Sequence, residues 1–147
     1  MVGVYALPDA RHPSGARLSS DDAGSWHAAD QRVRVISWRP TAFDYLNSDA
    51  VALLMDAVHG EFDRRLGDRL GRVIAGSFQD ELPATNSWTD DFATSFAAEF
   101  GYELLDRLPA IFAESVDAQV LHDYFAHRTA LTEAALFAPL GDWHGPG

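Results

Sequence analysis

Two adjacent carboxylates, Asp80 and Glu81, follow the short apolar run at residues 73–78. Such a run is typical of a buried parallel strand, and acids at the carboxyl end of such a strand lie where α/β folds place their catalytic groups. Apolar neighbours such as Phe78 and Leu82 would disfavour the charged form of Glu81, which suits a general acid. In the alternative interpretation, the two carboxylates cap the following loop or bind an arginine.

A second polar segment, Asp44 to Asn47, precedes a long helical pattern. The side chains of Asp44 and Asn47 can hold sugar hydroxyls, and the ring of Tyr45 can stack on a sugar. These residues also suit a simpler role, in which Asn47 caps the helix and Asp44 forms the preceding turn.

Trp88 stands close to two further acids, Asp90 and Asp91. An indole ring beside carboxylates is a common sugar-binding combination, because the apolar face of a pyranose stacks on the ring. Trp88 and Asp90 are therefore candidate substrate-binding residues. The alternative is that Trp88 is a hydrophobic staple before a helix that Thr89 caps.

The composition limits the kind of protein that carries these residues. The chain has 147 residues, of which 47% are hydrophobic, and this is enough for one domain with a core. Its formal net charge is -11, and all 11 basic residues are arginines without a large cluster, so nucleic acid is not an expected partner. No apolar run approaches the roughly 18 residues that span a membrane, so no membrane partner is expected either.

Several kinds of site lack their motifs. The absence of cysteine excludes disulfides and thiolate chemistry, and the six histidines show no metal-binding spacing. His59 lies on the apolar side of its predicted helix, next to Val58, and is expected to be a packed residue rather than a metal ligand. No G-x-S-x-G elbow, phosphate-binding loop or dinucleotide fingerprint occurs. The amino terminus lacks the features of a signal peptide, and the localisation stays unknown.

The chain is expected to fall into three parts. Residues 1–40 contain two β-rich runs, VGVYAL and RVRVISW, which predict a small β segment with a long loop. Residues 41–140 read as helices with one strand, and residues 141–147 form a turn-rich tail that we expect to be frayed.

The central part has a clear helical period. Apolar residues recur every three to four positions from Val51 to Leu66, after a cap at Asn47 or Ser48. This predicts an amphipathic helix of about five turns, ending near Gly71. A strand at 73–78 directly after this helix would complete the αβ half of a βαβ repeat.

Three more helices are predicted towards the carboxyl end. The first carries Phe92, Phe96 and Phe100 on one face and stops at Gly101. A short helix around residues 104–108 runs into a proline, and a last helix extends to about Phe137.

Four short motifs follow one another along the chain: Asp44 to Asn47, Phe78 to Pro83, Trp88 to Asp91, and Gly101 to Pro109. Over about residues 40 to 113, the chain resembles glycoside hydrolases of the α-L-rhamnosidase-like group, family 106 and its relatives, in which such motifs recur in the same order. The resemblance implies a (β/α)₈ TIM barrel, inverting hydrolysis by two carboxylates and a calcium ion near the sugar.

The resemblance also implies roles for single residues. Glu81 would be one of the acid/base carboxylates, and Asp80 would support it. Asp44, Asn47 and Trp88 would contact the carbohydrate substrate. Leu82 departs from the family pattern, because the family usually has the proline directly after the acidic pair.

The length of the chain bears on the predicted fold. A TIM barrel needs about 250 residues, so we expect an α/β chain that is a helix-rich fragment of a barrel, inactive alone because the second carboxylate lies elsewhere. Open strand edges in such a fragment favour self-association. The alternative function is a non-catalytic helical interaction module or a degenerate remnant of a barrel enzyme.

Overall fold

The computed structural model describes residues 3–7, 17–18, 33–39, 43–80, 87–112 and 117–145. By its internal contacts the chain divides into two units. The first unit combines Met1–Arg39 with Asp90–His127, and the second combines Pro40–Thr89 with Arg128–Gly147. Each unit is therefore built from two separate stretches of sequence, whereas the three predicted parts are continuous.

The elements are named in chain order. The strands are β1 (Gly3–Ala6), β2 (Arg17–Leu18) and β3 (Val33–Ile36). A helical stretch follows, with α1 (Ser48–Met55), a π-helical turn (Asp56–Gly60), α2 (Glu61–Leu66), a 3₁₀ turn (Gly67–Arg69) and α3 (Leu70–Val73). The remaining elements are α4 (Phe92–Phe100), α5 (Leu104–Arg107), a 3₁₀ turn (Leu108–Phe112), α6 (Ala118–Thr132), a second π-helical turn (Glu133–Phe137) and α7 (Ala138–His144).

The strands of the first unit form an antiparallel sheet in the order β2-β1-β3. Its register pairs Gly3 with Ile36. Tyr5 on the central strand is fully buried, and its hydroxyl donates a hydrogen bond to the carbonyl of Leu105, 2.8 Å away. The two β-rich runs of the sequence thus supply the outer strand β3 and the central strand β1.

The predicted phenylalanine face of α4 is confirmed. Phe92 and Phe96 are fully buried, and the rings of Phe96 and Phe100 pack with their centroids 4.7 Å apart. Gly101 ends α4 in the left-handed conformation, with φ of 75°. Because a side chain strains the backbone there, glycine is the favoured residue at this position.

The predicted amphipathic helix of the second unit is present as α1, the first π-helical turn and α2. It starts where the sequence indicates, because the side-chain oxygen of Asn47 accepts a hydrogen bond from the Ala50 N–H at 2.9 Å. Val51 on α1 is fully buried and forms a hydrophobic cluster with Ala135 and Leu136.

Pro139 accounts for the second π-helical turn. A proline inside a regular α-helix lacks one N–H donor, and its ring clashes with the carbonyl four residues earlier. A π-helical turn at Glu133–Phe137 relieves this conflict just before the proline. The helix then continues through α7 to His144, so residues 141–144 are helical where the sequence predicts a frayed tail.

The predicted fold class, a fragment of an α/β TIM barrel, is wrong. The described residues form a helix-rich structure with one small antiparallel sheet. Val73 ends α3, residues 74–80 have no regular secondary structure, and the side chain of Phe78 is 88% exposed. An apolar run becomes a stable strand only beside another strand that pairs with its backbone. No such strand lies beside residues 73–78 in the described part of the chain.

Two glycines provide a matched test of these backbone conformations. A Cβ atom added at Gly101 would meet nothing within 4 Å, so Gly101→Ala tests the strain of a positive φ alone. We expect this substitution to lower the free energy of unfolding by about 1 kcal/mol. Gly71→Ala, equally unobstructed but within α3, should raise it by up to about 1 kcal/mol. Urea denaturation followed by circular dichroism measures both, and effects of the same sign would contradict these conformations.

Candidate functional site

The two predicted catalytic carboxylates are only partly covered by the structure. Asp80 is exposed at the end of the irregular segment that follows α3. The backbone carbonyl of Asp80 accepts a hydrogen bond from the side-chain amide of Gln79 at 2.8 Å. Glu81 lies outside the described residues, so the geometry of the pair is not assigned and its catalytic role stays a prediction.

Asp44 and Asn47 have the structural roles of the simpler interpretation. Asn47 is the N-cap of α1, and Oδ1 of Asp44 accepts a hydrogen bond from the Leu46 N–H at 3.1 Å, which closes a turn. The second carboxylate oxygen of Asp44 accepts a hydrogen bond from the Thr89 hydroxyl at 2.8 Å. Both oxygens of Asp44 are therefore engaged within the protein.

The Asp44–Thr89 hydrogen bond joins two motifs that lie 45 residues apart in the sequence. Thr89 is buried, and Trp88 beside it is half-buried. Thr89 is not the helix cap that the sequence suggests, because α4 begins only at Phe92 and Asp91 is its N-cap residue. The bond brings the segment of Asp44 next to that of Trp88 within the second unit.

Asp90 does not belong to this group. It is an exposed turn residue at the start of the 90–127 stretch of the first unit. Of the predicted substrate-binding residues, the structure thus brings Asp44, Asn47 and the segment of Trp88 together.

A hydrogen-bonded relay that the sequence analysis missed lies in the first unit. His127 on α6 is buried, with Nε2 2.9 Å from the Ser95 hydroxyl and Nδ1 2.6 Å from a carboxylate oxygen of Glu99. The ring of His127 packs edge-on against Phe92 and Phe96, with centroids 4.9 and 5.6 Å away. This relay links α4 to α6 with polar bonds inside an aromatic surround.

The protons in this relay have two consistent arrangements. The Ser95 hydroxyl has one proton, and it also lies 3.0 Å from the carbonyl of Asp91. If Ser95 donates to Asp91, Nε2 of His127 has a proton and donates to the Ser95 oxygen. If Ser95 donates to His127, the ring is neutral. Hydrogen-bond distances are compatible with both arrangements.

A second buried polar group in the first unit is Asp123. Its carboxylate accepts hydrogen bonds from the Gln119 amide at 2.7 Å and from the Tyr102 hydroxyl at 3.0 Å. The hydrogen bond from Gln119 is the main cause that lowers the pKa of Asp123. Burial, together with the Asp123 bond, raises the pKa of Tyr102 to about 12.

In the second unit, the packed role predicted for His59 agrees with the structure. Its ring is half-buried and packs edge-on against Trp143, with centroids 4.6 Å apart. The indole N–H of Trp143 donates to a carboxylate oxygen of Asp63 at 3.0 Å. Nδ1 of His59 is buried without a hydrogen-bond partner within the described ranges, and burial is the main cause that lowers its pKa.

Partial signals for these sites do exist in the sequence. Ser95 and Glu99 are four residues apart, so a helix places them on one face. His127 stands 28 residues after Glu99, and nothing in a single sequence pairs residues at that separation. The same limit applies to the contacts of Trp143, which falls in the predicted frayed tail.

Comparisons with known proteins identify no relative. No protein-family model, curated protein or solved structure matches this chain. Over the described ranges, no three side chains of the histidine, aspartate or glutamate type are arranged to hold a metal ion. Likewise, none of the helices described here is both long enough and apolar enough to cross a membrane.

The Tyr102–Asp123 bond predicts a late-titrating tyrosine. Its folded-state pKa of about 12 lies above the ordinary value of 10.0, so its contribution to stability is complete below about pH 10 and is lost as the pH rises through about 12. Ultraviolet titration should detect this tyrosinate, and Tyr102→Phe should remove it. Asp123→Asn should lower the pKa of Tyr102, whereas Glu99→Gln should not. An unchanged titration in Asp123→Asn would contradict the assignment.

Proposed function

We propose that this chain is the carbohydrate-binding part of a glycoside hydrolase similar to the α-L-rhamnosidase-like group. The order of the four sequence motifs supports the proposal, and the Asp44–Thr89 hydrogen bond at 2.8 Å is the structural observation that carries it. This bond holds two of the motifs together through the buried Thr89 hydroxyl and the half-buried Asp44 carboxylate, although 45 residues separate them.

The proposed sugar-binding surface centres on Trp88. Trp88 is half-buried and so keeps part of its surface accessible to solvent. In this proposal its indole stacks on the apolar face of a pyranose. Asn47 and Asp44 hold the neighbouring backbone and Thr89 in place, because they accept hydrogen bonds from the Ala50 N–H, the Leu46 N–H and the Thr89 hydroxyl. In this proposal Asp44 acts as a positioning residue, because both of its carboxylate oxygens are already engaged.

Hydrolysis of a glycosidic bond needs two proton transfers. An acid gives a proton to the leaving oxygen, and a base takes a proton from the attacking water, so that the two carboxyl groups lie about 6.5 to 9.5 Å apart in an inverting enzyme. Glu81 is the proposed acid or base, with exposed Asp80 beside it in sequence. The described residues show no donor set that fits calcium, and no step is assigned to this ion.

Sugar binding by the chain tests the proposal. We expect saturation-transfer NMR to detect methyl α-L-rhamnopyranoside bound to the protein, and Trp88→Ala to abolish the signal because the stacking surface is lost. Trp38→Ala is the matched control, since Trp38 is also half-buried but lies in the first unit. Equal loss in both variants, or no binding at all, would contradict the proposed surface.

Catalysis is tested separately from binding. Because a single carboxylate of the pair does not suffice, we expect no measurable release of rhamnose from an aryl α-L-rhamnoside by this chain. Release that disappears in Glu81→Gln would show that the chain contains a complete catalytic pair.

A helical interaction module is the second candidate function. Large apolar side chains are exposed along α1, the first π-helical turn and α2, at Leu53 (75%), Val58 and Phe62. Exposed apolar surface of this kind is typical of protein contacts. For a contact between copies of the chain, light scattering would show a mass that rises with concentration, and Leu53→Ser would reduce this rise. A constant monomer mass would exclude self-association.

A further inference from the structure

Ser77 and His144 form a hydrogen-bonded pair in the second unit, although 67 residues separate them in the sequence. The Ser77 hydroxyl lies 2.9 Å from Nε2 of His144, and the backbone N–H of Ser77 donates to the same nitrogen at 3.2 Å. On the other side of the ring, Nδ1 lies 2.9 Å from the carbonyl of Leu140. Both ring nitrogens of His144 therefore have protein partners.

The partners determine where the ring proton lies. A carbonyl oxygen only accepts hydrogen bonds, so Nδ1 of His144 has the ring proton and donates a hydrogen bond to the Leu140 carbonyl. A backbone N–H only donates, so Nε2 presents its lone pair to Ser77. The Ser77 hydroxyl consequently donates to Nε2, which is the arrangement of a nucleophile beside its general base. The carbonyl of Leu140 orients the base.

A groove adjoins this pair. Its volume is about 230 Å³, and its lining includes Gly76, the residue before Ser77, and both Trp143 and His144 from α7. Leu70 and Ile74 contribute apolar surface to the lining. The size and the lining suit a small apolar group such as a short acyl chain or a single aromatic ring.

Solvent exposure distinguishes the Ser77–His144 pair from the Ser95–His127 relay of the first unit. Ser77 and His144 are both exposed, so an ester can approach the hydroxyl from solvent. In the relay, the side chain of His127 is 3% exposed and the Ser95 hydroxyl also contacts carbonyls of its own helix. The two serines have the same 2.9 Å distance to a histidine, but Ser77 alone combines it with an assigned ring tautomer and an adjoining groove.

We propose that Ser77 is a nucleophile for acyl transfer from small esters, with His144 as its general base. Oγ of Ser77 bonds to the ester carbonyl carbon while its proton passes to Nε2 of His144. The bond from that carbon to the alcohol oxygen then breaks, and the alcohol leaves with the proton from Nε2. Water next attacks the acyl group, again with His144 as base, and the Ser77 hydroxyl is restored as the acid leaves.

This activity is independent of the proposed glycosidase role. It uses neither Glu81 nor the surface at Trp88. The histidine is oriented by a carbonyl rather than a carboxylate, which stabilises the positively charged ring less than the carboxylate of a full triad does. We therefore expect a slow esterase.

The test uses p-nitrophenyl acetate and a fluorophosphonate probe, with peptide mass spectrometry to locate the modified residue. We expect the acyl and phosphonyl groups on Ser77, and a loss of about a hundredfold or more in acylation rate in His144→Asn. Ser77→Ala should abolish modification while the backbone N–H still holds His144. Circular dichroism of each variant checks that the helices are retained.

Ser95→Ala is the matched control, because it removes the other serine hydroxyl at hydrogen-bond distance from a histidine. Its acylation rate should equal that of the natural chain. Modification at Ser95, an unmodified Ser77, or an unchanged acylation rate in His144→Asn would each overturn the proposal. Failure of this test would leave the sugar-binding experiment unaffected, because that experiment measures a different surface.

Discussion

The packing of Ala135 and Leu136 against Val51 is the contact on which the second unit depends. It holds the second π-helical turn, and with it α7, against α1, although the two segments are more than 80 residues apart in sequence. With that contact in place, α7 can bring Trp143 to His59 and His144 to Ser77. The polar contacts at the end of the helix are thus arranged by an apolar cluster near its centre, because burial of apolar surface is the larger contribution to stability.

The first unit combines apolar and polar contacts in another way. Buried phenylalanines of α4 face α6, yet α6 also buries a histidine and an aspartate on its side of the contact. Buried polar groups are costly unless they are hydrogen-bonded. His127 and Asp123 meet this requirement through partners on α4, on the following turn and on α6 itself. Such directional bonds restrict how the two helices can slide, which apolar packing alone does less well.

Local sequence signals predicted local structure well. The four-residue spacing of Phe92, Phe96 and Phe100 predicted a buried helix face, and Asn47 and Gly101 mark a helix start and a helix end as expected. The strand predicted at residues 73–78 is not formed, because a run of six residues is too short to show a helical or a strand period, and its structure depends on neighbours that the sequence does not specify. The barrel prediction depended on that run and on a family resemblance. For the candidate site, the sequence indicated the turn and capping roles of Asp44 and Asn47. It did not predict the hydrogen bond from Thr89 to Asp44, because the two residues are 45 positions apart.

The π-helical turn before Pro139 has a consequence for how the end of α7 can change in evolution. In a helix with 3.6 residues per turn, one inserted or deleted residue rotates everything downstream by about 100° around the axis. The π-helical turn at Glu133–Phe137 thus sets the angle about the helix axis between the core residues and the end of α7. Loss of one residue there would leave Ala135 or Leu136 able to pack, but would turn Trp143 and His144 towards different neighbours. The turn therefore sets which side chains the helix end presents, independently of the sequence of that end.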